Sequence, residues 1–198
     1  MAWFKKEPGT AGKENRVRTP EGLWIKCDGC KEILSKPELE QNLHVCPRCQ
    51  HHFRIGARAR VGLLADPESF KECDAGLRSL DPLGFKDQKS YLERLRAARK
   101  STGMEECLLS GTAAIGGFPV SLVAMEFDFM GGSMGSATGE KVTRAVERAI
   151  NARVPFIAVT CSGGARMQES VLALMQMAKT SAALGRLAGA GLPFISVL

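Results

Sequence analysis

The chain has 198 residues, 44% of them hydrophobic and 24% charged, with a net charge of +6. That length and composition allow one sizeable core, or a core with a small satellite. They exclude a membrane-spanning protein, since no uncharged apolar run approaches the ~18 residues a span needs. The charged start, Met1-Ala2-Trp3-Phe4-Lys5-Lys6, is unlike a secretory signal, which points to the cytoplasm.

The charge is unevenly placed. Residues 1–60 hold 12 Lys or Arg against 7 Asp or Glu; the remainder holds 15 against 14. A basic N-terminal part invites a nucleic-acid reading. Four thiolates and one zinc ion would offset it by about −2.

Residues 1–22 are polar and carry Pro8, Gly9, Gly12, Pro20 and Gly22, so they read as a flexible arm. Cys27-Asp28-Gly29-Cys30 and Cys46-Pro47-Arg48-Cys49 follow, fifteen residues apart. Two CxxC knuckles at this separation match the template of a structural zinc ion, because each turn presents two sulfurs and two turns complete a tetrahedron. Residues 23–55 are therefore expected to form a four-cysteine zinc ribbon with Cys27, Cys30, Cys46 and Cys49 as ligands. The three scattered cysteines, Cys73, Cys107 and Cys161, read as free thiols. His44, His51 and His52 lie nearby and read as surface residues or as a replacement for one of the ligands.

Residues 56–103 read as a helical connector. Asp66-Pro67-Glu68 resembles an N-cap with proline at the first helical position. Ser90-Tyr91-Leu92-Glu93 fits a capping box, and Gly103 a helix stop. Arg94, Arg96, Arg99 and Lys100 form either a solvated helix face or a phosphate-binding patch.

From residue 107 the character changes. The stretch 107–115 reads as a strand, Gly116-Gly117 as a hairpin turn and 120–127 as the return strand. A glycine-rich segment at 131–139 has neither the phosphate-loop nor the dinucleotide spacing. Next come a helix over about 140–151, a strand at 155–159, a helix over about 166–187 and a strand at 193–198. The order predicts an α/β fold whose parallel strands are joined by helices. The last helix is apolar nearly all round, which predicts burial.

The centre of the pattern is Thr160-Cys161-Ser162-Gly163-Gly164-Ala165-Arg166, read as a strand-to-helix turn. Gly163 and Gly164 either make a tight turn or aim backbone N–H groups at an anion, or at a carbonyl oxygen that becomes one. Arg166 reads either as a contact for a coenzyme A phosphate or as a structural ion pair. Cys161 has no histidine after residue 52 to activate it as a nucleophile.

Several stretches carry a resemblance: Pro20-Glu21-Gly22-Leu23-Trp24 leading into the knuckles, Cys49-Gln50-His51-His52-Phe53-Arg54, and the run from Glu126 to Ser136. To these are added the run from Ser162 to Glu169 and that from Met175 to Leu184. Together they resemble the family of carboxyltransferase beta subunits of bacterial acetyl-coenzyme A carboxylase. The resemblance implies a zinc ribbon followed by a crotonase-like α/β spiral domain over 56–198, truncated at its C-terminus relative to the family. It implies carboxyl transfer from carboxybiotin, on the biotin carboxyl carrier protein, to acetyl-CoA, giving malonyl-CoA for fatty-acid synthesis. It also implies an α2β2 core with an alpha subunit, beside an ATP-binding biotin carboxylase. Gly163 and Gly164 would supply catalytic N–H groups. Ser162, Ala165, Arg166, Gly131 and Gly132 would line the substrate site. In the family a second glycine pair lies beyond the position of Leu198. Two other functions compete: a nucleic-acid-binding ribbon, which should release its ligand as salt rises, and an assembly module without catalysis.

Overall fold

The computed structural model describes residues 23–198. The arm expected at 1–22 lies outside the described residues. The chain divides into two compact units between Arg54 and Ile55.

In the first unit, β1 (Trp24–Lys26) and β2 (Ile33–Ser35) pair antiparallel, and α1 (Lys36–Gln41) follows directly. Ser35 starts α1 because its hydroxyl accepts from the N–H of Glu38, and Pro37 suits the first turn. Leu34 and Leu39 are buried with Cys27 and Cys46. Among the described residues, two leucines and two cysteines make a small buried core, so this unit needs another source of stability.

In the second unit, α2 (Ala57–Leu64) and α3 (Tyr91–Thr102) precede a five-stranded sheet in the order β3 (Lys71–Glu72), β4 (Leu108–Ile115), β5 (Phe118–Met125), β6 (Phe156–Val159), β7 (Phe194–Val197). The connector thus contains an edge strand that its sequence did not announce. The pairs β3–β4 and β4–β5 are antiparallel; β5–β6 and β6–β7 are parallel, joined by α4 (Ser136–Ala152) and α5 (Val171–Gly189). The expected parallel sheet is therefore half of a mixed one. Ala145, Val146 and Ala149 of α4 are buried, and the hydroxyl of Ser121 on β5 donates to the Ala145 carbonyl at 2.7 Å.

The Gly116-Gly117 turn is as expected, with φ of 58° and 82°. The capping box at Ser90 and the left-handed Gly103 stop also stand as expected. The helix start expected at Asp66 does not. The Asp66 carboxylate instead accepts from the N–H groups of Gly116 and Gly117, at 2.8 and 2.7 Å. The charge caps the hairpin turn of β4–β5, a use set by tertiary proximity.

The last helix also departs from expectation. A 3-10 turn at Met167–Glu169 ends at Ser170, whose φ of 48° breaks the path, and α5 starts only at Val171. Its apolar residues are not all inside. Ala173, Ala183 and Leu187 are buried, but Val171, Leu174, Met175 and Met177 are more than half exposed. No helix among the described residues is long and apolar enough to cross a membrane.

Candidate active site and metal centre

The two knuckles are built alike. Cys27 accepts from Lys31 N–H and donates its own N–H to Glu32; Cys46 accepts from Gln50 N–H and donates to His51. Lys31 and Gln50, the residue after each pair, are both left-handed, at φ 66° and 63°. That common turn brings the four sulfurs within 4.8 Å of one another. Cys27 and Cys49 lie 3.6 Å apart, and Cys30 and Cys46 3.8 Å. A zinc ion with sulfurs at about 2.3 Å has tetrahedral edges of about 3.8 Å, so the donor set fits zinc. Four sulfurs leave no open position, which makes the site structural. No histidine is needed in it.

The second site lies where two loops leave the carboxyl ends of the parallel neighbours β5 and β6, the usual position of a ligand crevice in such sheets. The loops zip together. Gly163 N–H donates to the Gly131 carbonyl at 2.8 Å, Met134 N–H to Gly164 at 2.8 Å, and Arg166 N–H to Met134 at 2.9 Å. Gly132 permits the closure: its φ is +64°, and a Cβ there would lie 2.1 Å from the Cys161 carbonyl oxygen. A cleft of about 380 Å³ opens at the seam, lined by Gly131, Ser133, Gly163 and Ala165 between Met130 and Met167.

Arg166 lies beneath the seam, with its side chain fully shielded from solvent. Its guanidinium donates to both oxygens of Glu106 at 2.6 and 3.2 Å, to the Ser133 carbonyl at 2.6 Å and to the Tyr91 hydroxyl at 3.1 Å. Tyr91 donates in turn to Glu169 at 2.6 Å. The other oxygen of Glu169 accepts from Ser136 N–H at 2.6 Å, capping α4, whose own N-cap is a glycine. Burial pushes the Glu106 carboxyl up, but the Arg166 hydrogen bonds pull it below its ordinary value. Burial likewise opposes ionisation of Glu169, and Ser136 and Tyr91 outweigh it.

This geometry sorts the expected residues. Gly131, Gly163 and Ala165 reach the cleft; Ser162 stands beside it, its hydroxyl accepting from Gly164 N–H at 3.0 Å. Gly132 is buried as a spacer. Arg166 forms a buried ion pair with Glu106, as one of its two readings expected, and its side chain is closed to solvent. The N–H of Gly163 is taken by Gly131, and no helix begins at the glycine pair. In the parallel bridge between Met134 and Ala165, the Ala165 N–H points away from Met134 and makes no bond among the described residues. Sequence reasoning did not single out that donor, nor Tyr91, Glu106 and Glu169. The Cys161 thiol donates to the Met125 carbonyl at 3.1 Å, and burial pushes the Cys107 thiol up to about 12, so neither is an activated nucleophile.

The model of the carboxyl transferase domain family matches residues 55–198, and that of the acetyl-CoA carboxylase zinc finger domain matches residues 24–49. The chain belongs to the carboxyl transferase family. It is 52% identical over 200 residues to the acetyl-coenzyme A carboxylase carboxyl transferase subunit beta of Citrifermentans bemidjiense, covering 100% of this chain and 71% of that one. It is 48% identical over 194 residues to the protein of the same name from Methylacidiphilum infernorum, covering 98% and 70%. Among solved structures it is similar to transcarboxylase 12S with methylmalonyl-coenzyme A and methylmalonic acid bound (TM-score 0.57, 29% identity), covering 69% of this chain and 24% of that one. It is also similar to a Pseudomonas malonate decarboxylase hetero-tetramer in complex with malonate (TM-score 0.55, 30% identity), covering 73% and 50%. The carboxyl transferase domain, the carboxyl transferase subunits and the transcarboxylase neighbour support carboxyl transfer as this chain's chemistry. A carboxyl transferase domain joined to this zinc finger does not favour the nucleic-acid reading of the ribbon.

Proposed function

We propose that the chain is the beta component of a cytoplasmic acetyl-CoA carboxylase carboxyltransferase, moving a carboxyl group from carboxybiotin to acetyl-CoA to form malonyl-CoA. The observation that carries the reading is the zipped pair of glycine loops at the ends of β5 and β6, with backbone donors beside a cleft of about 380 Å³. Removing a proton from the acetyl group places negative charge on the thioester oxygen. A fixed backbone donor stabilises such an oxyanion by roughly 3–4 kcal/mol. Ala165 N–H is unspent, and Gly164 N–H is held only by the exposed Ser162 hydroxyl, which a substrate oxygen can replace. Gly163 holds the loops in register through Gly131. The biotin, brought by its carrier protein, supplies the carboxyl group and a base for the proton.

The ribbon holds one structural zinc ion. An alpha subunit completes the site; the exposed apolar residues Val171, Leu174 and Met175 at the start of α5, close in sequence to the cleft loop, support a companion there. The biotin carboxyl carrier protein and biotin carboxylase complete the system. The test is Gly164→Pro, which deletes one N–H. With the alpha subunit and carboxybiotin supplied, it should abolish malonyl-CoA formation while zinc content stays whole. Unchanged transfer would remove Gly164 from the reaction.

A further inference from the structure

We propose that a cavity between α4, β4 and the turn at 103–106 is a second ligand site, which takes a small monovalent oxyanion of the carboxylate or bicarbonate class on the Lys141 ammonium. The cavity shares no lining residue with the cleft at the glycine loops. The inference therefore stands apart from the transfer chemistry, and its failure would leave the proposed function standing.

The cavity has a volume of about 160 Å³. A single water needs only roughly 10–15 Å³ of such space, so an ion of several heavy atoms fits. Glu106, Leu108 and Lys141 form a buried floor, while Arg58, Glu72 and Glu105 are exposed at its rim. A ligand can enter from water and still end among groups that water does not reach.

Those groups are short of a partner. Lys141 is 2% exposed. Its Nζ donates to the Leu108 carbonyl at 3.1 Å, its one hydrogen bond among the described residues, so two of its three protons are unspent. It joins no ion pair among the described residues, whereas the buried Arg166, Glu106 and Glu169 answer one another. A charge out of water is costly unless an opposite charge meets it. Burial pulls the Lys141 ammonium below its ordinary 10.5, and the more distant Glu72, Glu106 and Asp74 do not make up the difference. A second donor belongs to the same floor. The N–H of Glu106, a residue closed to solvent, makes no hydrogen bond among the described residues.

The charge count sets the class of ligand. Both oxygens of Glu106 are held by Arg166. Glu105 faces Arg99 and Arg78 at 3.5 and 3.8 Å, and Glu72 faces Arg58 at 3.9 Å. One positive charge, on Lys141, is left over. A metal cation would add to that excess, and a phosphate dianion would overshoot it. A carboxylate or bicarbonate carries one negative charge and offers separate oxygens to separate donors. Glu106 also joins this cavity to the other site, since its carboxylate holds the Arg166 that lies beneath the glycine loops.

The test is titration of the zinc-loaded, 15N-labelled chain with sodium acetate and with sodium bicarbonate, each replacing sodium chloride at constant ionic strength. Melting temperature should rise and level off as the site fills, and the Glu106 amide resonance should move with the same midpoint. Lys141→Met keeps the length of the side chain and removes its charge. It should weaken binding roughly tenfold to a hundredfold, as expected for the loss of one charged hydrogen-bonding group. In chloride alone it should melt no lower than the parent, because the unmet charge is gone. Lys141→Arg should retain binding. No saturable change in the parent with either anion would mean that water alone fills the cavity, and would overturn the inference. A response that survives in folded Lys141→Met would place the anion elsewhere and overturn it too. The Glu106 resonance of the parent keeps the test decisive if Lys141→Met does not fold.

Discussion

Arg166 and Glu106, 60 residues apart in the chain, meet through two hydrogen bonds of 2.6 and 3.2 Å in a space closed to solvent. Each ion is dear to bury alone; Ser79 of the connector bonds to both ions and Tyr91 to Arg166, so the pair ties the connector to the glycine loops. The cleft thus depends on a charge pair it does not contain.

Arg166→Met removes one partner and strands Glu106. Breaking a buried pair in this way costs about 3–5 kcal/mol. Denaturant unfolding should show that loss, and the double variant Arg166→Met with Glu106→Gln should recover part of it. A single variant as stable as the parent would contradict the account of the pair.

The same pair sets a pH dependence. Glu106 and Glu169 are both held below their ordinary value of 4.5. A depressed carboxyl contributes stability fully above its unfolded value and loses it as pH falls through the folded one. Stability should therefore decline from about pH 4.5 downwards, and less steeply in the double variant. Parallel declines in the two proteins would assign the acid loss to other groups.

Gly132→Ala adds a methyl where the Cys161 carbonyl already stands, at a left-handed φ. We expect a loss of more than about 1–3 kcal/mol, with parting of the two loops and loss of carboxyl transfer. Hydrogen exchange at Gly163, whose N–H crosses the seam, should report the parting directly.

Asp66→Ala frees two N–H groups of the hairpin turn. The site is partly open to water, so the cost should be about 1–2 kcal/mol in unfolding experiments, with activity retained. A larger loss would mean that Asp66 holds more than the turn.

Cys27→Ser, or a strong chelator, should remove zinc and unfold the first unit, since its two leucines and two buried cysteines cannot replace the metal. Zinc analysis with circular dichroism checks this. Folding of residues 23–54 without metal would refute it.

What the sequence made legible was local. The CxxC pairs, the Ser90 capping box, the Gly116-Gly117 turn and the alternation of strands and helices each depend on residues a few positions apart. What it hid depends on distant partners. Nothing near Asp66 says that it faces a turn 50 residues on, and nothing near Glu169 says that it caps a helix starting at Ser136. The apolar composition of α5 was read as burial, but composition does not say which neighbours are present to cover a face. The left-handed Lys31 and Gln50 were equally unmarked, because the sulfur cluster, not the side chain, imposes their backbone.

The mixed sheet also has a consequence in time. The β4–β5 hairpin needs only its two-glycine turn, so it can form as soon as Met125 is available. The β5–β6 pair must wait for α4 to be laid across the sheet, and the Arg166 lock must wait for the chain to reach that residue. Long-range pairs form slowly, and a nascent chain grows from its N-terminus. We therefore predict that hairpin amides gain protection before Gly163 does in pulse-labelled refolding. Simultaneous protection would argue against this order. During synthesis the hairpin and connector would stand ready as a template, and the second glycine loop would dock on a surface already built.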